Sequence, residues 1–302
     1  MEKEIILAID IGGTSVKMGA VKEDVLLEKS SYRNIWKGNQ DKLVEDLKPY
    51  IDSYINKYKI NKIGIGCPGE IEDGVVLFAS NLGWRNFDIK KSFNDKYPNL
   101  EINVNNDGIA AVNAELKYGI LKNVKNAIFI VFGRGVGGAI IIDGKIYEGE
   151  RKNGGKIGHL TYKKPNGRKC NCGRVGCYET YTSVTGLIQT IKEEYYQQSE
   201  RKEKLKRLSG FQIVQYVKEK NPVVCKGVQL WNEDISEEIL DLVEIFDPSH
   251  IVLAGGITES GLLDLEVIRN KLKTFGYDYI NVSISRFKGK TGLIGAASAF
   301  DK

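Results

Sequence analysis

Apolar residues fill positions 5–9, stop at Asp10, and resume between Ser15 and Val21 beyond the pair Gly12-Gly13. Two strands joined by a tight turn are predicted. From Asp41 to Tyr58 the apolar residues Leu43, Val44, Leu47, Ile51, Tyr54, Ile55 and Tyr58 recur at helical spacing, with Pro49 inside the run as a candidate kink. Lys62–Gly66 reads as a strand that ends in the turn-rich C-P-G-E of residues 67–70. Ile102–Asp107 reads as a strand leading into a helix that stops at Gly119. Strands follow at 127–132 and 139–143, either side of the glycine cluster G-R-G-V-G-G at 133–138. After residue 183 the pattern is mostly helical, with a charged face at Glu193–Arg207. A last strand and glycine pair at 251–256 precedes a closing helix within 291–300. The turn at Gly12-Gly13 and the cluster at 133–138 each sit between an apolar strand and its returning partner, which suggests two related halves.

Length and composition narrow the class. The 302 residues exceed the ~100–200 expected of one domain, so two are expected. A hydrophobic fraction of 42% is ample for buried cores. The net charge of +5 comes from basic residues scattered among acidic ones, which argues against a nucleic-acid partner. No apolar stretch approaches the roughly 20 residues of a membrane span, and the start lacks the pattern of a signal peptide. Five cysteines without a spread-out framework argue against a secreted disulfide scaffold, so a cytoplasmic protein is expected.

Three places can carry chemistry. Glycine turns near residues 12, 135 and 255 can bring backbone N–H groups against an anion. Thr14 adds a hydroxyl, and Asp10 offers a carboxylate suited to magnesium. Each turn alone could be a plain hairpin, but three together favour nucleotide binding. Asp107, at a strand–helix junction, could orient an alcohol and accept its proton in a phosphoryl transfer, with Asn106 bonding the acceptor; it could equally be an N-cap. The third place is a loop in which His159, Cys170, Cys172 and Cys177 form a donor set suited to tetrahedral zinc, with Gly173 and Gly176 supplying sharp turns. Four protein ligands close the shell, so the metal would be structural; a disulfide or chance clustering is the alternative. Cys67 and Cys225 read as packing residues.

Together these segments resemble the ROK family of sugar kinases and repressors. The matching stretches are D-I-G-G-T (10–14), C-P-G (67–69), N-L-G-W (81–84), N-D (106–107), G-x-G-V-G-G (133–138), G-H (158–159), C-x-C-G-x-x-G-C-x-E (170–179), L-A-G-G (253–256) and L-I-G-A-A (293–297). They run nearly the full chain in the family's order, and the cysteine stretch is the most specific. The resemblance implies an α/β, two-domain, actin-like (ribonuclease-H-like) ATPase fold with a cleft between the domains. The smaller domain would take residues 1–106 plus 289–302, and the larger 107–288. It also implies ATP and Mg2+ as cosubstrates, a structural Zn2+, a sugar 6-hydroxyl as acceptor, and a homodimer. Asp107 matches the catalytic base. Gly69, Asn81, Asn106, His159 and Glu179 match positions that contact the sugar or shape its site. Asp10, Gly12, Gly13, Thr14, Gly133, Arg134, Gly135, Gly255 and Gly256 fall in the nucleotide-binding stretches.

Two positions depart from the pattern. Lys156 stands where the family usually carries a glutamate, and an ammonium can only donate to a sugar hydroxyl. Arg134 replaces a usual threonine and could still serve a phosphate; both side chains could also turn to solvent. The family's repressors carry a DNA-binding segment ahead of the first motif, and ten residues leave no room for one, so the kinase branch is expected. The leading acceptors are N-acetylmannosamine and glucose, with fructose, allose or a β-glucoside behind. The alternatives are a sugar-binding or regulatory protein with impaired phosphotransfer, and a kinase whose acceptor carries an anionic group facing Lys156.

Overall fold

The computed structural model describes residues 4–79, 81–151, 154–162, 166–198 and 208–300. It divides into two compact units, 1–122 with 289–302 and 123–288. Part of the charged face expected at Glu193–Arg207 lies outside the described residues.

In the first unit, β1 (Ile6–Ile11) is buried at every position but Asp10, as an apolar run in a central strand should be. β2 (Ser15–Lys22) returns antiparallel to it and β3 (Val25–Arg33) forms the edge. Helix α1 (Leu43–Tyr58) buries Leu43, Val44, Leu47, Ile51 and Tyr54. Pro49 lies on its exposed side, where water can satisfy the carbonyl that lost its partner. β4 (Lys62–Cys67) then joins β1 in parallel. A small antiparallel sheet follows, of β5 (Glu70–Glu72), β6 (Val75–Ala79) and β7 (Trp84–Asp88). After α2 (Ile89–Lys96), β8 (Glu101–Asn106) adds to β4 in parallel and runs straight into α3 (Asp107–Tyr118). The main sheet therefore has the order β3-β2-β1-β4-β8.

The C-terminal helix, Thr291–Ser298, packs on α3 at very close range: a Cβ built on Gly295 would lie 1.8 Å from the Ala110 carbonyl oxygen. Only a residue without a side chain fits there. This contact places α3, and with it residues 107–118, in the first unit, so the units divide at 122/123 and not at 106/107.

The second unit repeats the plan. β9 (Ala127–Phe132) pairs antiparallel with β10 (Val136–Ile142), which pairs with β11 (Lys145–Ile146). A loop then leads to α4 (Glu179–Thr182), α5 (Val184–Gln198), α6 (Gly210–Lys218) and the long α7 (Pro222–Phe246). The side chain of Asn221 caps α7, and Pro222 supplies its first turn. β12 (His250–Ala254) adds in parallel to β9; after α8 (Leu265–Thr274), β13 (Asn281–Ile284) completes the order β11-β10-β9-β12-β13. Strand sense and order match those of the first sheet position by position, and each unit has its own apolar core. The two related halves expected from the glycine echo are present.

Candidate active site

In the first unit the carboxylates gather at the ends of β1 and β8. Asp10 is paired with Lys17 from β2, Nζ to Oδ2 3.3 Å. The turn after it closes through Gly12 N donating to Ser15 O at 2.8 Å. Asn34, nearly buried, holds that turn from outside: its Nδ2 donates to Gly12 O at 2.7 Å and its backbone N to Thr14 O at 2.9 Å. Gly13 is half-buried and Thr14 exposed.

The junction at Asn106–Asp107 resolves one open alternative. Asn106 is the N-cap of α3, its Oδ1 accepting from Gly108 N and Ile109 N at 2.9 and 3.2 Å. Its Nδ2 donates to Gly69 O at 2.8 Å, tying the C-P-G turn to the start of the helix; Gly69 holds φ +110°. With the cap supplied by Asn106, the Asp107 carboxylate is not needed there, although Gly108 N donates to it at 2.9 Å. Burial pushes Asp107 up to about 6 and the charge of Asp10 adds to the rise, against hydrogen bonds from the backbone N–H groups of Gly108 and Asp107 itself. A carboxylate kept basic in this way suits proton abstraction near neutral pH. Cys67, fully buried, also faces these acids: burial, then Asp107 and Asp10, push its thiol well above the usual range. Asn81 is exposed on the turn between β6 and β7.

In the second unit the described residues of the loop, 155–162 and 166–179, fold as a knuckle. Cys170 N donates to Arg174 O at 2.9 Å, and Gly173 N to Cys170 O at 3.0 Å. Thr161 bridges to Cys177, and Lys169 to Val175. The donor atoms of His159, Cys170, Cys172 and Cys177 all lie within 4.8 Å of one another. Cys172 Sγ and Cys177 Sγ are 3.7 Å apart, as are Cys170 Sγ and His159 Nδ1. Tetrahedral zinc with Zn–S bonds of ~2.3 Å requires sulfur–sulfur separations of about 3.8 Å, so the residues fit the ion. A hydrogen bond with Arg174 brings the Cys172 thiol down to about 7, towards the thiolate that binds metal.

Arg168 fastens the knuckle to the helices behind it. Its guanidinium donates to Thr180 O, Gly186 O and Thr190 Oγ1 at 2.7, 3.2 and 2.9 Å, and pairs with Glu193. Neither Arg168 nor Asn34 stood out in the sequence, because each acts on distant backbone and belongs to no spaced pattern. Lys156 is exposed just ahead of the short helical turn 157–159, with its carbonyl accepting from His159 N at 3.0 Å.

Glu179 links the knuckle to the second glycine turn. Its Oε1 lies 3.6 Å from Cys170 Sγ, and its Oε2 accepts from Val136 N at 3.0 Å. A Cβ on Gly135 would come within 2.1 Å of that Oε2, so the turn admits the carboxylate only because residue 135 is glycine. Gly133 N donates to Gly135 O at 2.9 Å and Val184 N to Gly133 O at 3.0 Å. Arg134 is exposed, and its carbonyl accepts from Thr185 Oγ1 at 2.9 Å. Gly255, with φ +107°, ends β12 beside Phe132 O, and Gly256 opens the next turn.

Residues 6–302 match the model of the ROK family. The chain belongs to the ROK family. It is 29% identical over 308 residues to a glucokinase of Streptomyces coelicolor, covering 97% of this chain and 96% of that protein. It is 28% identical to a xylose repressor of Caldicellulosiruptor bescii, covering 96% of this chain and 76% of the repressor. The structure superposes on a ROK family glucokinase from Streptomyces griseus, solved with glucose and AMPPNP, with a TM-score of 0.83, 26% identity and 98% coverage of both chains. The fold is the α/β, actin-like ATPase fold of these ROK proteins. Among the described residues no helix is long and apolar enough to cross a membrane.

Proposed function

We propose that this chain, an ATP-dependent carbohydrate kinase of the ROK family, transfers the γ-phosphoryl group of ATP to the 6-hydroxyl of a hexose or N-acetylhexosamine, with N-acetylmannosamine and glucose foremost. The observation that carries this reading is Asp107: a half-buried carboxylate relieved of capping by Asn106 and pushed up to about 6 beside Asp10.

Asp107 accepts the proton of the 6-hydroxyl as that oxygen forms its bond to the γ-phosphorus, while the bond to the bridging oxygen breaks and ADP leaves. Asn106 fixes the position of the base through its bonds to α3 and Gly69, and also contacts the sugar. Gly69, Asn81, His159, Glu179 and Lys156 complete the sugar site in this reading. The glycine turns Gly12-Gly13-Thr14, Gly133–Gly135 and Gly255-Gly256 take the phosphates and nucleoside, with Arg134 beside them. Asp10 is the hard oxygen donor suited to Mg2+, which neutralises phosphate charge when bound. His159, Cys170, Cys172 and Cys177 would hold Zn2+ with no open position, so the metal shapes the loop that carries Glu179. The protein would act in the cytoplasm, as a homodimer.

Lys156 favours a second reading, in which the acceptor is an anionic sugar, since an exposed ammonium replaces the family's usual glutamate. The xylose repressor relative supports a third, a sugar-binding regulator with impaired phosphotransfer. Screening neutral, N-acetylated and acidic sugars in an ADP-coupled assay separates the three. Turnover on a neutral hexose or N-acetylhexosamine supports the proposal. Turnover confined to acidic sugars, or sugar binding without turnover, overturns it. Full activity in Asp107→Ala would remove Asp107 from the mechanism.

A further inference from the structure

Between β3 and α1 the chain crosses the first unit through a short irregular segment, residues 34–39, that no motif of the sequence marks. Its side chains alternate: Asn34 and Trp36 are buried, at 8% and 4% exposure, while Ile35 and Lys37 face outward. A buried amide and indole must find partners for their polar groups. Where those partners lie gives the segment a use beyond joining two elements.

One end grips the first glycine turn, where Asn34 Nδ2 donates to Gly12 O at 2.7 Å and Asn34 N to Thr14 O at 2.9 Å. A trans peptide is planar, with its C=O and N–H on opposite sides. Fixing the Gly12 carbonyl therefore also fixes the Gly13 N–H, which points away from Asn34. A hydrogen bond accepted at that oxygen polarises the peptide and makes its N–H a stronger donor to an anion. The other end grips the turn between β6 and β7, which carries Asn81. Gly38 N donates to Leu82 O at 2.8 Å, and Trp36 O accepts from Trp84 Nε1 at 2.8 Å. Between the ends, Asn34 Oδ1 accepts from Trp36 N at 3.0 Å and closes the segment on itself. Trp36 Nε1 donates to Asp46 Oδ2 at 2.8 Å and pins it to α1.

We infer that residues 34–38 form a strap that holds the first glycine turn and the Asn81 turn in one register, and that Asn34 and Trp36 are positioning residues for phosphoryl transfer, acting through those turns. The inference rests on the reading of the chain as a sugar kinase and deepens it. The turn that faces the phosphates and a turn that faces the sugar share one tether, so a change at the tether reaches both substrates. A segment kept only for folding would behave differently: its variants would melt earlier and leave both substrate constants alone.

The test is calorimetric titration of Mg-AMPPNP into the wild-type protein, Asn34→Ala, Trp36→Phe, Asp46→Ala, Asp46→Asn and Phe93→Leu, with a melting temperature for each. Steady-state KM values follow for ATP and for whichever of glucose and N-acetylmannosamine is phosphorylated. Asn34→Ala should weaken Mg-AMPPNP about three- to tenfold, the equivalent of one hydrogen bond. Trp36→Phe keeps a ring in place but loses the bond to Asp46, and should raise both KM values about two- to fivefold. Asp46→Ala breaks the same bond from the exposed side of α1 and should match it at nearly unchanged melting temperature. Asp46→Asn keeps an acceptor for Trp36 Nε1 and should retain wild-type constants. Phe93→Leu, a cavity in α2 away from the strap, should melt earlier with unaltered affinity. Unchanged Mg-AMPPNP affinity in Asn34→Ala overturns the inference, as does a comparable weakening in Phe93→Leu. If Asn34→Ala does not fold, wild-type constants in Asp46→Ala, or a rise in only one KM in Trp36→Phe, overturn it instead. Weakened nucleotide binding in Asn34→Ala, with no turnover of any sugar by the wild type, would sink the proposed kinase activity and leave the strap standing at its nucleotide end. Ordinary turnover with strap variants that match the wild type would do the reverse.

Discussion

At Asp107 function and stability pull in opposite directions. Its folded pKa of about 6 lies above that of an unfolded aspartate, near 3.9, so the native state binds its proton more tightly. The stability it contributes is complete below about pH 4, fades as pH rises through 6, and is gone above about 7. Asp107→Asn keeps an acceptor for Gly108 N while removing the charge facing Asp10. That variant should be more stable than wild type by roughly 1–3 kcal/mol at pH 8, with the difference vanishing near pH 4, as urea titrations at the two pH values would show. Its kcat should fall by about 10²–10⁴. The wild-type kcat/KM should decline on the acid side with an apparent pKa near 6. A flat profile from pH 5 to 8 would mean that the base lies elsewhere. The position of Asp107 at the strand–helix junction was readable from the sequence, but its freedom from capping was not. That depended on Asn106 taking Gly69 and the α3 backbone together, a contact between segments 37 residues apart.

Among the elements, the knuckle and the packed helices show two different uses of glycine. In Gly135→Ala the new methyl meets the far end of Glu179, a flexible side chain that can swing away. The expected cost in stability is small, on the order of 1 kcal/mol, but Glu179 leaves Val136 N, so turnover should fall well before the melting temperature does. In Gly295→Ala the methyl meets the Ala110 carbonyl oxygen, which is backbone and has nowhere to go. There the cost should reach about 3 kcal/mol or more, visible as a lower urea midpoint at unchanged slope. The knuckle itself should carry about one zinc per chain by metal analysis. Stripping it with a chelator should lower the melting temperature and raise the KM for sugar more than that for nucleotide; a metal-free protein with unaltered melting would argue against the site. The cysteine spacing revealed this donor set because its ligands lie close in sequence. The contacts of Arg168 and the Gly295 contact were invisible, since each is made by residues that only tertiary packing brings together.

The molecule as a whole is one sheet plan used twice, β3-β2-β1-β4-β8 and β11-β10-β9-β12-β13, and the glycine turn after the first strand of each was the trace of it left in the sequence. What periodicity could not locate was the division between the units, because α3 carries an ordinary helical pattern and its membership is decided by the helix at 291–298. That helix buries nearly all of its residues against the first unit. Removing residues 289–302 should therefore uncover a core, giving a chain that binds hydrophobic dyes and unfolds without a sharp transition; a truncated protein with normal cooperativity would contradict the packing. The same arrangement imposes an order on biosynthesis. At ~5–20 residues per second, the first 122 residues leave the ribosome roughly 8–33 s before the segment that closes their core. The unit begun first is finished last, so a chain broken off during translation cannot complete its first core even when most of its length has been made.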